Sequence, residues 1–157
     1  LAHYAVHTPI QAKHHLIQKY KAKLKKLEVR NRKLKFKWDP TYAAMIESVD
    51  QSVGKIQHTL NNLQLTDRTI IFFFSDNGGY GPITSMAPLR GAKGMLYEGG
   101  IRVPMFIYAP KIAQPGLICH TPVIGIDFYP TILELADLPK PTGHILDGQS
   151  LLSLIHI

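Results

Sequence analysis

Helical and extended stretches alternate along this chain, and that alternation predicts an α/β layered fold with a largely parallel central sheet. Two observations carry the expectation. Between Pro40 and Leu65 the apolar side chains Tyr42, Met45, Ile46, Val49, Val53, Ile56, Leu60 and Leu63 recur at steps of three and four, the spacing of one helix face. Soon after, Thr69 to Ser75 is a continuous β-branched and aromatic run, the composition of a central strand covered on both faces. With 157 residues, 45% hydrophobic and 18% charged, the chain has material for one modest domain with a core and is unlike a disordered tail. No apolar run reaches the roughly 18 residues that a membrane-spanning helix needs.

The first residues, Leu1 to Pro9, read as a strand end entering a loop, because Pro9 disfavours helix at Thr8. Asp39 is placed to cap the Pro40 helix, with the proline at its first position, where a missing N–H is harmless. Asn61, Asn62 and Thr66-Asp67 supply the exit. Val103 to Ala109 is a second candidate for a buried strand, closed by Pro110. A last helix is expected from Asp127 to Ala136, with Asp127 as its cap and Ile132, Leu133 and Leu135 turned inward. The lone Cys119 excludes an internal disulfide. The chain starts without methionine or a leader pattern and stops inside the apolar run Leu151 to Ile157, so a piece of a longer protein is expected. A central strand without neighbours leaves edge and apolar face open, and the piece expressed alone is expected to aggregate.

Charge is unevenly distributed. Between Lys13 and Lys37, eleven Lys and Arg face one acid, Glu28, so this segment carries +10 of a net +7 and the remainder −3. Such a run grips phosphate or sulfate on a polyanion, or is simply a solvated surface helix or loop. Tyr20, Phe36 and Trp38 lie in or beside it, but no zinc spacing or RNA-binding signature does, so nucleic acid is disfavoured.

Three places carry chemistry. Asp76-Asn77-Gly78-Gly79 closes the apolar run, and ligands collect at the carboxyl ends of strands in open α/β sheets. A carboxylate beside an amide oxygen is a hard donor pair suited to Ca²⁺ or Mg²⁺, although the same four residues also make a good turn. Lys93, flanked by Gly91 and Gly94, is either an ordinary surface lysine or a point charge for an anion. His7 is either structural or a proton donor at a substrate oxygen.

Several of these segments, in this order, resemble the sulfatase family of the alkaline-phosphatase-like superfamily. Ser75-Asp76-Asn77-Gly78-Gly79 is similar to the family's Asp-Asn-Gly metal element, and Leu89 to Pro104 to its Lys-Gly-x-x-x-Glu-Gly-Gly-x-Arg-x-Pro segment. His3 to Pro9 resembles its His-x-Pro loop, and Ile126 to Leu133 its Asp-x-x-Pro-Thr-Leu helix. The resemblance implies a partial three-layer sandwich with a largely parallel sheet, residues 1–157 forming an incomplete catalytic domain with a basic surface segment at 13–37. It implies sulfate-ester hydrolysis by the whole enzyme, with Asp76 and Asn77 as metal ligands for calcium, or magnesium in its place. Lys93 and His7 carry over as catalytic and substrate-binding residues, with His3 as runner-up to His7. Tyr97, Glu98, Gly99 and Gly100 are expected to shape backbone, with Glu98 holding Arg102, and His120 and Asp127 to be structural.

The chain also departs from the family. Sulfatases of this kind use a formylglycine made from the first residue of Cys/Ser-x-Pro-x-Arg. Cys119-His120-Thr121-Pro122-Val123 and Ser85-Met86-Ala87-Pro88-Leu89-Arg90 both have the proline one place late. The nucleophile and further acidic ligands are therefore expected upstream of Leu1, and this piece alone is expected to be inactive. Asp147-Gly148-Gln149-Ser150-Leu151-Leu152 fits the family, whereas Ser153 to Ile157 replaces its Pro-Leu-Leu, so a break with the natural sequence is expected there. The rival readings are a phosphomonoester or phosphonate hydrolase of the same superfamily and a non-catalytic polyanion-binding module. A sulfated small molecule or glycan is the partner implied, and export to a periplasmic, secreted or lysosomal location is the compartment. Oligomeric state is not specified by the sequence.

Overall fold

A computed structural model describes residues 1–30 and 38–155. In chain order the elements are α1 (His14–Arg30), α2 (Pro40–Asn62), β1 (Ile71–Phe74), α3 (Glu98–Ile101), β2 (Met105–Tyr108), α4 (Phe128–Leu135) and α5 (Leu152–Ile155). Short 3₁₀ turns at Thr66–Arg68 and Gly125–Asp127 precede β1 and α4. The chain divides into two compact units, one of Leu1–Leu65 with Phe74–Met105, the other of Thr66–Phe73 with Phe106–Ile157. The strand end expected within Leu1 to Pro9 is not formed, whereas the expected loop is: residues 5–9 make a turn and a bend, with His7 N donating to Tyr4 O at 3.0 Å. Of the basic segment, residues 31–37 lie outside the described residues; the part before them is helix α1.

In the first unit α1 packs on α2, and Leu16, Ala44 and Met45 are buried. The start of α2 follows from local chemistry. Asp39 has extended backbone (φ −106°, ψ 113°) and its carboxylate accepts from Tyr42 N at 2.8 Å, while Pro40 opens the helix. The last helical residue is Asn62, where the exit was expected, and the reversal falls on Gln64, at φ 56°. Leu65 N donates to Leu60 O at 2.8 Å and Gln64 N to Asn61 O at 3.0 Å, the two bonds of a Schellman stop. The apolar stripe is also narrower than its spacing implies, since Ile46 is 50% and Leu63 61% exposed.

The second unit holds most of the sheet. β1 and β2 are hydrogen-bonded neighbours, with the Phe73 and Phe106 rings 6.3 Å apart. The α/β class holds, but this pair is antiparallel. The connection turns back at the end of β1 instead of crossing over it: Gly78 N, just past β1, donates to Gly100 O, just before β2, at 2.8 Å. Neither strand is covered on both faces. Phe73 and Phe74 are exposed, and β2 alternates half-buried with exposed positions.

Asp127 does not cap α4 through its side chain. Its carboxylate instead accepts from Ile124 N at 2.8 Å and Gln149 N at 2.9 Å, tying the preceding turn to a segment 22 residues later. Thr131, fully buried, donates its hydroxyl to Asp127 O at 2.5 Å and accepts from Leu151 N at 2.9 Å. Leu151 and Ile155 are buried in this unit. Contrary to the helical reading, Ile132 is half exposed, and only Leu133 and Leu135 are partly covered. Threonine occupies the inward position because its hydroxyl satisfies one donor and one acceptor of backbone that would otherwise be buried unpaired.

Candidate active site

The candidate residues Asp76, Asn77, Lys93 and His7 all belong to the first unit. Asp76 and Asn77 follow β1 directly. Asp76 is exposed and Asn77 half-buried, and Asn77 Nδ2 donates to Asp76 Oδ1 at 2.6 Å. Ser75 Oγ donates to Asn77 O at 2.9 Å, closing the turn behind the pair. The carboxylate and amide thus share one small patch at a strand end.

Glycines bring the lysine loop against this turn. A Cβ on Gly78 would stand 1.8 Å from Gly99 O, and one on Gly100 1.9 Å from Met95 O, so neither position admits a side chain without moving backbone. Gly99 N donates to Arg90 O at 2.7 Å, and Lys93 N donates to Gly79 O at 3.0 Å. Gly91 and Gly94, at φ 82° and 87°, turn the chain on either side of the half-buried Lys93. The Arg90 guanidinium lies over the Tyr97 ring, 3.9 Å from its centroid, which braces the same loop. Glu98 pairs with Arg102 at 3.1 Å, both largely exposed, so the pair orients α3 and adds little stability. The glycine-rich segment therefore shapes backbone, as expected. Its specific contacts, Gly78 with Gly100 and Lys93 with Gly79, were not readable from spacing.

His7 is not drawn into this cluster. Its ring lies against Tyr4, centroids 5.6 Å apart, and Nδ1 is 2.9 Å from Thr8 O. Among the described residues no hydrogen bond joins it to Asp76, Asn77 or Lys93. His3 is exposed. From the other side, Tyr42 in the first turn of α2 reaches the Asp76–Gly79 turn, its hydroxyl 3.8 Å from where a Gly79 Cβ would sit, and burial pushes its phenol above the usual value. Tyr42 read as a helix-face residue in the sequence, and nothing in the spacing marked it as a neighbour of Gly79.

The donor set fits part of a hard-cation site. Asp76 and Asn77 offer oxygen ligands of the kind Ca²⁺ or Mg²⁺ takes, but Ca²⁺ takes six to eight. No group of three His, Cys, Asp or Glu that could hold a metal occurs among the described residues.

Residues 1–138 match the family described as Sulfatase. A sulfatase of Formosa agariphila is 37% identical over 163 residues, covering 97% of this chain and 28% of its own length. The steryl-sulfatase of Homo sapiens is 34% identical over 123 residues, covering 73% and 21% respectively. Among solved structures, Ps i-CgsB in complex with k-i-k-neocarrahexaose matches with a TM-score of 0.81 at 35% identity, over 95% of this chain and 31% of that one. The chain belongs to the sulfatase family, with its alkaline-phosphatase-like α/β fold. It spans between about a fifth and a third of the length of these relatives.

Proposed function

We propose that the protein carrying this chain hydrolyses sulfate esters, and that the chain contributes the anion-binding lysine and two metal ligands. The observation that supports this most directly is the Lys93 N to Gly79 O hydrogen bond of 3.0 Å, which fastens the lysine loop three residues beyond Asp76. In this reading Asp76 and Asn77 hold Ca²⁺, with Mg²⁺ as the substitute, and Lys93 places its ammonium on a sulfate oxygen or on the leaving-group oxygen. A cation fixed where charge develops lowers the barrier because the dipoles and charges need no reorganisation during the reaction. When bound, the metal and a formylglycine hydrate outside this chain supply the Lewis acid and the nucleophile. His7 serves the substrate oxygen as a proton donor or hydrogen-bond donor. That role requires the Tyr4–Pro9 loop to present its ring toward the substrate, because the ring has no hydrogen bond to the other three residues. The substrate is a sulfated small molecule or glycan, and export is the matching compartment.

The test uses the full-length protein with 4-nitrocatechol sulfate. Lys93→Ala is expected to lower kcat/KM by about 10²–10³-fold, the scale for losing one preorganised charge-stabilising group. Asp76→Ala is expected to raise the Ca²⁺ concentration needed for half activity. A wild-type protein that cleaves 4-nitrophenyl phosphate but no sulfate ester overturns the proposal, as does a Lys93→Ala enzyme with unchanged kinetics.

A further inference from the structure

The candidate site leaves the charge of α1 unused. Lys13, Lys21, Lys23, Lys25 and Lys26 are all exposed. Among the described side chains none of them has an ion-pair partner, while Lys19 pairs with Glu47 of α2 at 2.8 Å. Leu16 is buried, and Ile17, Tyr20, Leu24 and Leu27 are half-buried, forming the stripe toward α2. At 3.6 residues per turn Lys21 and Lys25 fall about 140° and 180° around the helix from Leu16, on the opposite face. Lys19 and Lys23, and Lys21 and Lys25, are like charges one turn apart, an arrangement that destabilises a helix unless an anion covers it.

We propose that this outer face of α1 anchors a sulfated polysaccharide, so that the polymer is held by α1 while one of its sulfate esters enters the candidate site of the same unit. The identity of the anion as sulfate rests on the function proposed above; the existence of a polyanion surface rests on α1 alone. The chemistry of the face favours this partner. His14, Gln18, Lys21 and Lys25 run along it, with the small Ala22 beside them and no Phe, Tyr or Trp on that face. A membrane needs an apolar face to insert, and single-stranded nucleic acid needs aromatic platforms on which to stack. Tyr20, the aromatic of this helix, is half-buried, with Lys19 and Lys23 5.5 and 5.8 Å from its centroid. Flexible lysines about 6 Å apart along the axis suit an irregular row of sulfates, whose binding is dominated by charge.

The experiment compares the full-length wild type with the triple variant Lys21→Gln, Lys25→Gln, Lys26→Gln, and with the same three lysines changed to Arg. Gln keeps the helix propensity, and Lys19 and Lys23 keep their contacts. Binding of fluorescent dextran sulfate is measured against salt, and hydrolysis of 4-nitrocatechol sulfate is measured alongside. The Gln variant is expected to bind dextran sulfate at least about tenfold more weakly, with the slope of log K against log salt reduced by about 2–3 by analogy with counterion release from nucleic acids. The Arg variant is expected to bind like wild type, and the small ester to be hydrolysed by all three within twofold. Dextran sulfate affinity and salt slope unchanged in the Gln variant overturn the proposal. So does wild-type binding to duplex DNA or phosphatidylserine vesicles that is tighter than to dextran sulfate. A wild type that binds dextran sulfate through these lysines but hydrolyses no sulfate ester upholds the surface and sinks the proposed activity instead.

Discussion

Substituting Gly78 by alanine separates the Asp76–Gly79 turn from the glycine-rich loop. The added Cβ would stand 1.8 Å from Gly99 O, 2.8 Å from Gly99 C and 3.1 Å from Gly100 Cα, all backbone atoms that no rotamer change can move aside. The two segments must part, and the 2.8 Å bond from Gly78 N to Gly100 O is lost. A lost hydrogen bond costs about 0.5–1.5 kcal/mol and forced overpacking about 1–3 kcal/mol, together about 2–4 kcal/mol. Treated as an opening equilibrium at 1.4 kcal/mol per factor of ten, this corresponds to roughly 30- to 700-fold faster hydrogen exchange. The readout is exchange by mass spectrometry of peptides spanning residues 74–105 in the full-length protein. Gly54→Ala provides the contrast. Gly54 lies inside α2 with nothing within 4 Å of the position its Cβ would take, so alanine is expected to slow exchange in α2, gaining about 0.5–1 kcal/mol of helix propensity. Exchange in residues 74–105 within twofold of wild type in Gly78→Ala, or greater deprotection from Gly54→Ala, refutes the reasoning.

Thr131→Val is nearly isosteric but leaves Leu151 N and Asp127 O without their partner. It is expected to destabilise the second unit by about 1–3 kcal/mol, whereas Thr131→Ser recovers most of that loss; exchange in residues 127–155 reads both. The α1–α2 contact is pH-dependent from both sides. The Lys19 ammonium and the Tyr20 hydroxyl hold the Glu47 carboxyl below 4.5, and Glu47 holds Lys19 above 10.5. The Glu47 contribution is complete above its unfolded value and is lost as pH falls through the lowered native one. The Lys19 contribution is complete below 10.5 and is lost as pH rises through the raised native one. The thermal-midpoint difference between wild type and Glu47→Gln is therefore expected to be largest between these limits and to vanish beyond them; a flat difference across the range contradicts the assignment. A hydrogen bond from the Thr121 side chain, aided by its backbone, lowers the exposed Cys119 thiol below its ordinary value. Thr121→Val is expected to slow iodoacetamide alkylation of Cys119 at neutral pH, and an unchanged rate removes that cause.

What the sequence determined is what short-range chemistry determines. Asp39 and Pro40 start α2 because a cap and a fixed φ act within one turn. The end of the Thr69–Ser75 run places Asp76 and Asn77 beyond a strand, and the order of the motifs identifies the family from residue types alone. Tertiary structure decided everything that depends on which distant segment arrives. Whether Ile46, Leu63 and Ile132 are covered depends on the element beside them, and periodicity marks a face without saying how much of it a neighbour reaches. Asp127 reads as a helix cap but joins Ile124 to Gln149, and Thr131 reads as an ordinary helical residue but anchors Leu151, because their partners lie up to 22 residues away. The same reason governs the site. A glycine's tolerance for close approach is written in the sequence; that Gly78 meets Gly100, that Lys93 is tied to Gly79 and that His7 stays outside their hydrogen bonding are set by how the backbone closes on itself.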